Sequence, residues 1–371
     1  MAIQKLNNGN MPPATQKALK VQGAGSVELQ DACPVPQPKI DEVLVKVVCI
    51  GINPFDWKSL DMSPSPGSTW GCDFSGQVVS VGTECKKHFK PGDRVAGASP
   101  GNSADDPHNG GFAEYVSVPE ALLFDIPSSM GFEEAATLGC GMLTIGLSLY
   151  HVMKLPLPHA NKASGDGEPQ YVLIYGGGTA TGTLAIQAAK LSGMIPITTC
   201  SPHNFERVKL LGAAQVWDYH SPSCASDTRA CTNDRLMYVL DCITDSGSMK
   251  ICYGAIGSEG GRYVGLDQFP IRGHTRRNVR PDWIISWTVL GKPINWKKPY
   301  RRDAKPKDKA FGELWGPITQ RVLDAGDITT HPIEVSDEGL AGVAKGAERI
   351  KLGKAGGKKL VYRVATPVAV A

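Results

Sequence analysis

The 371-residue chain contains no uninterrupted apolar run of the length a membrane-spanning helix needs. Its first dozen residues, with Asn7, Asn8, Asn10 and Pro12, lack an apolar stretch of signal-peptide length. We therefore expect a cytoplasmic protein that does not use a membrane. The ten cysteines, Cys33, Cys49, Cys72, Cys85, Cys140, Cys200, Cys224, Cys231, Cys242 and Cys252, are scattered and never form Cys-x-x-Cys. Paired-thiol metal knuckles and a disulfide framework are thereby disfavoured, and reduced core thiols are expected. No internal repeat is visible. With 42% hydrophobic and 20% charged residues, the chain has neither the composition of a disordered protein nor that of a fibrous one. Its length allows two domains.

A large excess of either charge is missing overall, since 39 Lys and Arg against 36 Asp and Glu leave a net charge of only +3. Residues 271–309, however, hold twelve Lys or Arg against three Asp, a local charge of +9 that leaves −6 for the remainder. A solvated, mobile loop is one reading of such a run, and a docking face for an acidic partner is the other. No recognition motif for nucleic acid accompanies it.

From Lys17 to about Asp125, turn residues break the chain into short β-branched runs such as Val43 to Val48, Val78 to Val81 and Tyr115 to Val118, the pattern of a compact antiparallel β domain. Phe132 to Tyr150 reads as helical, and Pro156 to Gln170 as a linker loop without periodicity. Strand and helix then alternate. Strands are expected at Tyr171 to Tyr175, Ile195 to Thr199, Gln215 to Trp217, Met237 to Leu240 and Arg262 to Gly265, with helices at Thr181 to Ser192 and around Phe205 to Leu211. Leu314 to Leu323 is again helical, and Lys359 to Val364 is a closing strand. This alternation predicts an α/β fold, a doubly wound parallel sheet of the Rossmann type beside the antiparallel domain. We place the β domain at 1–150 with 311–371 and the Rossmann domain at 151–310.

The stretch from Tyr171 to Gly182 is a buried strand running through Gly176, Gly177 and Gly178 into a helix. Glycine there lets the backbone approach a pyrophosphate, and the helix start points free N–H groups at it. The strict pattern Gly176-x-Gly178-x-x-Thr181 lacks its third glycine, so a tight βα turn without a ligand is the plainer alternative. Beyond the second strand, at Thr199 to Asn204, the Asp or Glu that would hold a ribose hydroxyl is also missing. Ser201 and Asn204 can donate hydrogen bonds there, and His203, Arg207 or Lys209 can face a phosphate, which favours NADPH. The same Ser201 and Asn204 also suit a helix cap.

Gly71-x-Asp73-x-x-Gly76-x-Val78-x-x-Val81-Gly82, Pro91-Gly92-Asp93-Arg94-Val95, Gly111-Phe112-Ala113-Glu114-Tyr115 and Glu134-Ala135-Ala136 resemble medium-chain dehydrogenases and quinone oxidoreductases, with a GroES-like β domain. Ile52-Asn53-Pro54-x-Asp56-x-Lys58, Leu155-Pro156-Leu157-Pro158, Ser201-Pro202-His203-Asn204, Leu240-Asp241-Cys242-Ile243-Thr244 and Asp282-Trp283 resemble the trans-acting enoyl reductases of fungal polyketide synthase–peptide synthetase megaenzymes.

The resemblance implies NADPH-dependent reduction of the α,β-double bond of a polyketide held by phosphopantetheine on the megaenzyme's acyl carrier domain. It implies cofactor contacts at Phe55, Asp56, Trp57, Lys58, Gly178, Thr179, Ala180, Thr181, Ser201, Pro202, His203, Asn204, Tyr219, Leu266, Asp267, Gly356 and Gly357. Substrate contacts would fall on Thr144, Ile145, Gly146, Leu147, Ser148, Leu149, Tyr150 and His151, and on Trp287, Thr288, Val289, Leu290 and Gly291. Structural roles suit Leu147, Leu149 and Val289 equally.

Zinc enzymes of the superfamily use a Cys, a His followed by Glu, and a third ligand, where this chain has Asn53, Cys72-Asp73 and Cys140. The four-cysteine structural lobe is missing from Gly97 to Phe112, and no metal is expected. For the chemistry, Lys58 is assigned mainly to the cofactor, while Asn53 and Thr144 are candidate donors to the nicotinamide amide or the substrate carbonyl. A satisfied structural hydrogen bond is the other reading of each. No Tyr or His stands out as proton donor to the α-carbon. Pro293, Pro299 and Lys297-Lys298 would blunt a sheet edge and favour a monomer. Two other functions remain open at this point: an NADPH quinone oxidoreductase or enone reductase on free small molecules, and a non-catalytic NADPH-binding accessory protein.

Overall fold

A computed structural model describes residues 12–160 and 170–367, so most of the expected linker, 161–169, lies outside the described residues. The chain divides into two compact units, one running to Cys140 and resuming at Pro332, the other Gly141–His331.

The first unit opens with the hairpin β1 (Thr15–Gly23) and β2 (Ser26–Pro34). The valine-rich run expected from 43 to 48 lies in β3 (Glu42–Gly51), followed by helix α1 (Pro54–Met62) and strands β4 (Asp73–Val81), β5 (Arg94–Ala98), β6 (Tyr115–Pro119) and β7 (Leu123–Asp125). β3 pairs antiparallel with both β4 and β6, and β4 with β5. Val43, Val45, Val47, Ile50, Phe74 and Phe112 fill the core beneath them. The helical stretch expected from 132 is broken: α2 (Phe132–Ala135) is followed by α3 (Gly139–Ile145), which continues as a π-helix over Gly146–Val152.

The second unit alternates β8 (Tyr171–Tyr175), α4 (Ala180–Leu191), β9 (Ile195–Thr199), α5 (Phe205–Leu210), β10 (Gln215–Trp217), α6 (Cys224–Cys231), β11 (Tyr238–Asp241), α7 (Ser246–Ala255), β12 (Gly261–Gly265) and β13 (Val279–Trp283). The sheet order is β10-β9-β8-β11-β12-β13, and every pairing is parallel. The order reverses between β8 and β11, so the loop after β8 opens at the topological switch point where such sheets bind ligands. The long helix α8 (Pro306–Asp324) closes this unit.

The chain returns to the first unit as β14 (Ile333–Ser336), α9 (Val343–Lys351) and β15 (Lys359–Arg363), with β15 antiparallel to β3. The boundaries expected at 150/151 and 310/311 differ from the observed 140/141 and 331/332. The cause is packing: Trp315 of α8 lies 4.9 Å from the Tyr150 ring and donates from Nε1 to Met142 O at 2.9 Å, so α8 and the segment after Cys140 share one core.

The basic run 271–309 is not simply a loop, as one reading of the sequence had it. It contains β13, two short 3₁₀ turns and the start of α8. Arg276 donates to the carbonyls of Tyr253, Ile256 and Gly257 at the end of α7, and the Arg302 guanidinium lies 3.9 Å above the Trp283 ring.

Candidate active site

At the end of β8, Gly176 adopts φ +86°, a conformation L side chains rarely tolerate. The chain then turns into α4, where Thr179 caps the helix by accepting from Gly182 N at 3.0 Å. Ala180 and Thr181 open the helix with N–H groups that have no carbonyl one turn earlier. The third glycine missing at Thr181 is supplied by Gly182, because a Cβ there would sit 2.3 Å from Gly176 O. Close approach of helix to loop, the property that the fingerprint encodes, is therefore present one residue later than expected.

At the ends of β9 and β10, Ser201 Oγ lies 3.4 Å from Tyr219 Oη, and Asn204 Nδ2 lies 2.9 Å from His203 Nε2. Asn204 also stands against the glycine loop, where a Cβ on Gly178 would meet its Nδ2 at 3.0 Å. Thus Gly178, Ser201, His203, Asn204 and Tyr219, read separately from the sequence, form one cluster at the ends of β9 and β10, and the neighbouring Asp218 is paired with His220. Of the two candidate cations, Arg207 turns inward to Gly178 O and Asn204 Oδ1, whereas Lys209 pairs with Glu206 at the surface.

The end of β11 was visible only as a sequence likeness. Asp241 is fully buried and accepts from Ile243 N, Thr244 N, Ser248 Oγ and Tyr263 Oη at 2.6–2.9 Å. Burial raises its carboxyl above the usual range, while these donors act in the opposite sense. The network holds Thr244 at φ +61°, and Thr244 Oγ1 accepts from Leu266 N at 2.9 Å. Leu266 and Asp267 are thereby set at the end of β12, with Tyr300 Oη donating to Asp267 Oδ1 at 3.0 Å.

The two expected substrate segments meet in the second unit. Thr144 Oγ1 is 3.0 Å from Ser286 Oγ, and Leu147, His151 and Thr288 line a cavity of about 270 Å³ together with Asp282, Trp283, Arg302, Lys305 and Asp308. His151 Nε2 is 3.0 Å from Asp308 Oδ1, a pairing across 157 positions that no local pattern reveals. The π-helical turn widens the helix where this cavity lies, a device frequent at functional sites.

Other members of the expected substrate set pack into the core. Ile145, Ser148 and Leu149 are fully buried, Tyr150 donates to Ala188 O at 3.0 Å, and a Cβ on Gly146 would strike Trp315. Trp287 and Val289 are also buried, whereas Leu290 and Gly291 are partly exposed.

In the first unit, Pro54 to Lys58 form the start of α1, with Asn53 at its N-cap. Asp56, expected beside the cofactor, is instead fully buried and accepts from Asn53 N at 2.6 Å. Its carboxyl faces inward because it caps the helix. Phe55, Trp57 and Lys58 are half-buried, and Trp57 Nε1 is a buried donor without an acceptor among the described residues. Gly356 and Gly357 form a turn with φ +62° and +68° before β15.

Asn53 is hydrogen-bonded at both ends of its side-chain amide. Nδ2 donates to Asp73 Oδ2 at 2.8 Å, and Oδ1 accepts from Lys359 Nζ. Lys359 Nζ is 3.0 Å from Asp73 Oδ2, with the two side chains 5% and 0% exposed, and Asp73 Oδ1 accepts from Cys140 N at 2.6 Å. An ammonium thus stands among Asn53 and Asp73, and burial pushes the neighbouring Cys72 thiol well above its ordinary value, toward the neutral form. Among the described residues, no group of three or more His, Cys, Asp or Glu is placed to hold a metal.

The alcohol dehydrogenase GroES-like domain family matches residues 39–128. The enoyl reductase CurK superposes with a TM-score of 0.74 at 17% identity, covering 95% of this chain and 100% of that one. A quinone oxidoreductase from Coxiella burnetii superposes with a TM-score of 0.67 at 22% identity, covering 94% and 99%. With the glycine loop at the sheet's switch point, these likenesses define the fold: a GroES-like antiparallel domain joined to a doubly wound Rossmann sheet.

Curated relatives narrow it further. The trans-enoyl reductase opdC of Penicillium oxalicum is 48% identical over 95% of this chain and 98% of its own, and apdC of Emericella nidulans is 46% identical over 96% and 99%. The trans-enoyl reductase tenC of Beauveria bassiana is 42% identical over 95% and 97%. The chain belongs to the fungal trans-enoyl reductase family and acts on carbon–carbon double bonds.

Proposed function

We propose that this enzyme uses NADPH to reduce the α,β-double bond of a polyketide thioester tethered by phosphopantetheine to the acyl carrier domain of a polyketide synthase–peptide synthetase. The observation that carries the choice of cofactor is the cluster of Ser201, His203, Asn204 and Tyr219 beside Gly178, none of whose members is a carboxylate. A carboxylate at that place would repel a 2′-phosphate, whereas hydroxyl and amide donors accept it. The glycine loop and the open N–H groups of Ala180 and Thr181 suit the pyrophosphate, and Leu266 and Asp267 stand at the same edge of the sheet.

Bound NADPH would supply the hydride for the β-carbon, and water the proton that the α-carbon takes up. What remains for the protein is orientation and stabilisation of the negative charge that develops on the thioester oxygen. Thr144, partly exposed and bonded to Ser286, is the candidate donor to that oxygen. Asn53 orients α1, and with it Phe55, Trp57 and Lys58, instead of donating to substrate. No step requires a metal.

The partner reading rests on the exposed Arg272, Arg277, Arg280, Lys297, Lys298, Arg301 and Lys305, which suit an acidic carrier domain. Pro281 within β13, and the segment 294–302 folded back so that Tyr300 meets Trp283, favour a monomer by blunting the sheet edge. No described helix is long and apolar enough to cross a membrane, and we infer a cytoplasmic site of action.

The test mixes purified protein with a short α,β-unsaturated pantetheine thioester and follows loss of reduced-nicotinamide absorbance with NADPH and, in parallel, NADH. Consumption with NADPH and little with NADH is expected. Turnover of quinones but not of the thioester would sustain the quinone reductase alternative.

A further inference from the structure

Arg207, on the first turn of α5, reaches back beneath the glycine loop, and each acceptor it meets is neutral. Nη2 donates to Gly178 O at 3.2 Å and Asn204 Oδ1 at 2.8 Å, and Nη1 to Thr183 Oγ1 and His331 Nδ1, both at 3.1 Å. No carboxylate pairs with it among the described residues. A guanidinium stays charged at any physiological pH and is costly to bury partly without a counter-ion. Burial indeed holds this one below its ordinary value. An uncompensated cation under an anion-binding loop is explained most simply if its counter-ion arrives with a ligand.

The geometry has a second consequence. A guanidinium can only donate, so the oxygen of the Asn204 amide must face Arg207, and Nδ2 is turned away from it as a donor. Nδ2 accordingly points to His203 Nε2, at 2.9 Å. By the same reasoning His331 presents a bare Nδ1 to Arg207 and carries its proton on Nε2.

We propose that Arg207 is a positioning and specificity-determining residue for the cofactor's 2′-phosphate. Its charge balances a dianion seated on Ser201, His203 and Asn204, and its hydrogen bond aims the Asn204 amide at that dianion. The assignment rests on the NADPH reading above and adds to it the residue that orients the donors. The competing role is purely structural, in which Arg207 ties α4, α5 and the loop together. That role would alter stability and weaken both nicotinamide cofactors alike.

The experiment measures Kd for NADPH and for NADH by nicotinamide fluorescence in the full-length protein and in Arg207→Gln and Arg207→Lys, at low and high salt. Arg207→Gln should weaken NADPH about tenfold, the effect of losing one charge-assisted interaction, leave NADH within about twofold, and flatten the salt dependence of NADPH binding. Arg207→Lys keeps the charge but cannot bridge Gly178 O and Asn204 Oδ1, and should lose part of the discrimination. It also carries the test should Arg207→Gln fail to fold. Equal weakening of both cofactors, or unchanged discrimination in both variants, overturns the assignment. A wild-type protein that prefers NADH would instead remove the NADPH reading itself, before any variant is compared.

Discussion

Asp56 couples a single buried carboxyl to the pH response of the first unit. Burial raises it from the ordinary 3.8 to about 7, against the pull of the Asn53 N–H. The native state therefore binds a proton more tightly than the unfolded chain between those two values. Stability must fall as pH rises from about 4 to about 7 through this group, because the carboxylate becomes charged without leaving its buried place. Asp56→Asn keeps an oxygen for the Asn53 N–H and removes the titration. Its urea midpoint should decline less than that of the wild type between about pH 4 and about pH 8, a range that covers the whole transition; parallel decline in the two proteins would contradict the assignment. None of this was legible in the sequence. Asp56 reads as a cofactor contact by family likeness, and Asn53 as a donor to nicotinamide or substrate. The partners that claim the Asn53 side chain, Lys359 and Asp73, come from distant strands, while Asp56 accepts from the Asn53 N–H of its own helix cap.

At the scale of elements, the parallel sheet was the most legible part. Tyr171 to Tyr175, Ile195 to Thr199 and Gln215 to Trp217 are strands over the residues expected, because short apolar, β-branched runs between glycine and polar turns have few other uses. α1 was missed because Pro54 and the sparse apolar residues of 53–62 give no helical stripe, and its stability comes from the Asn53 and Asp56 cap. β13 was hidden inside the basic run, since an edge strand carrying Arg280, Pro281 and Asp282 lacks the apolar signature of its inner neighbours. The third glycine was sought at Thr181 and stands at Gly182. That position gives a sharp prediction. Gly182→Ala would place a methyl 2.3 Å from Gly176 O, so α4 must move away from the loop. We expect a loss of about 1–3 kcal/mol in stability together with at least about tenfold weaker binding of either nicotinamide cofactor, read by denaturant titration and fluorescence. Unchanged cofactor affinity would remove the loop from the site.

For the whole molecule, the uneven charge is the feature on which the proposed docking of an acidic carrier domain rests. Lys297, Lys298 and Arg301 are exposed, whereas Arg276 and Arg302 are committed to the fold. The triple variant Lys297→Glu, Lys298→Glu and Arg301→Glu should raise KM for a carrier-bound enoyl substrate about five- to tenfold at low salt and leave turnover of a free pantetheine thioester unchanged. Equal effects on both substrates would place these residues outside any docking face. Composition made the basic run visible, but only the fold separates its structural arginines from its exposed ones.

The most direct test of the central claim follows hydride itself. The protein would be given NADPH deuterated at the transferable position of C4, together with an α,β-unsaturated acyl group on an isolated acyl carrier domain, and the released acyl chain examined by mass spectrometry. One deuterium at the β-carbon, absent when labelled NADH is supplied, is the predicted result. An acyl chain that remains unsaturated while labelled NADPH is consumed by an added quinone would contradict the account.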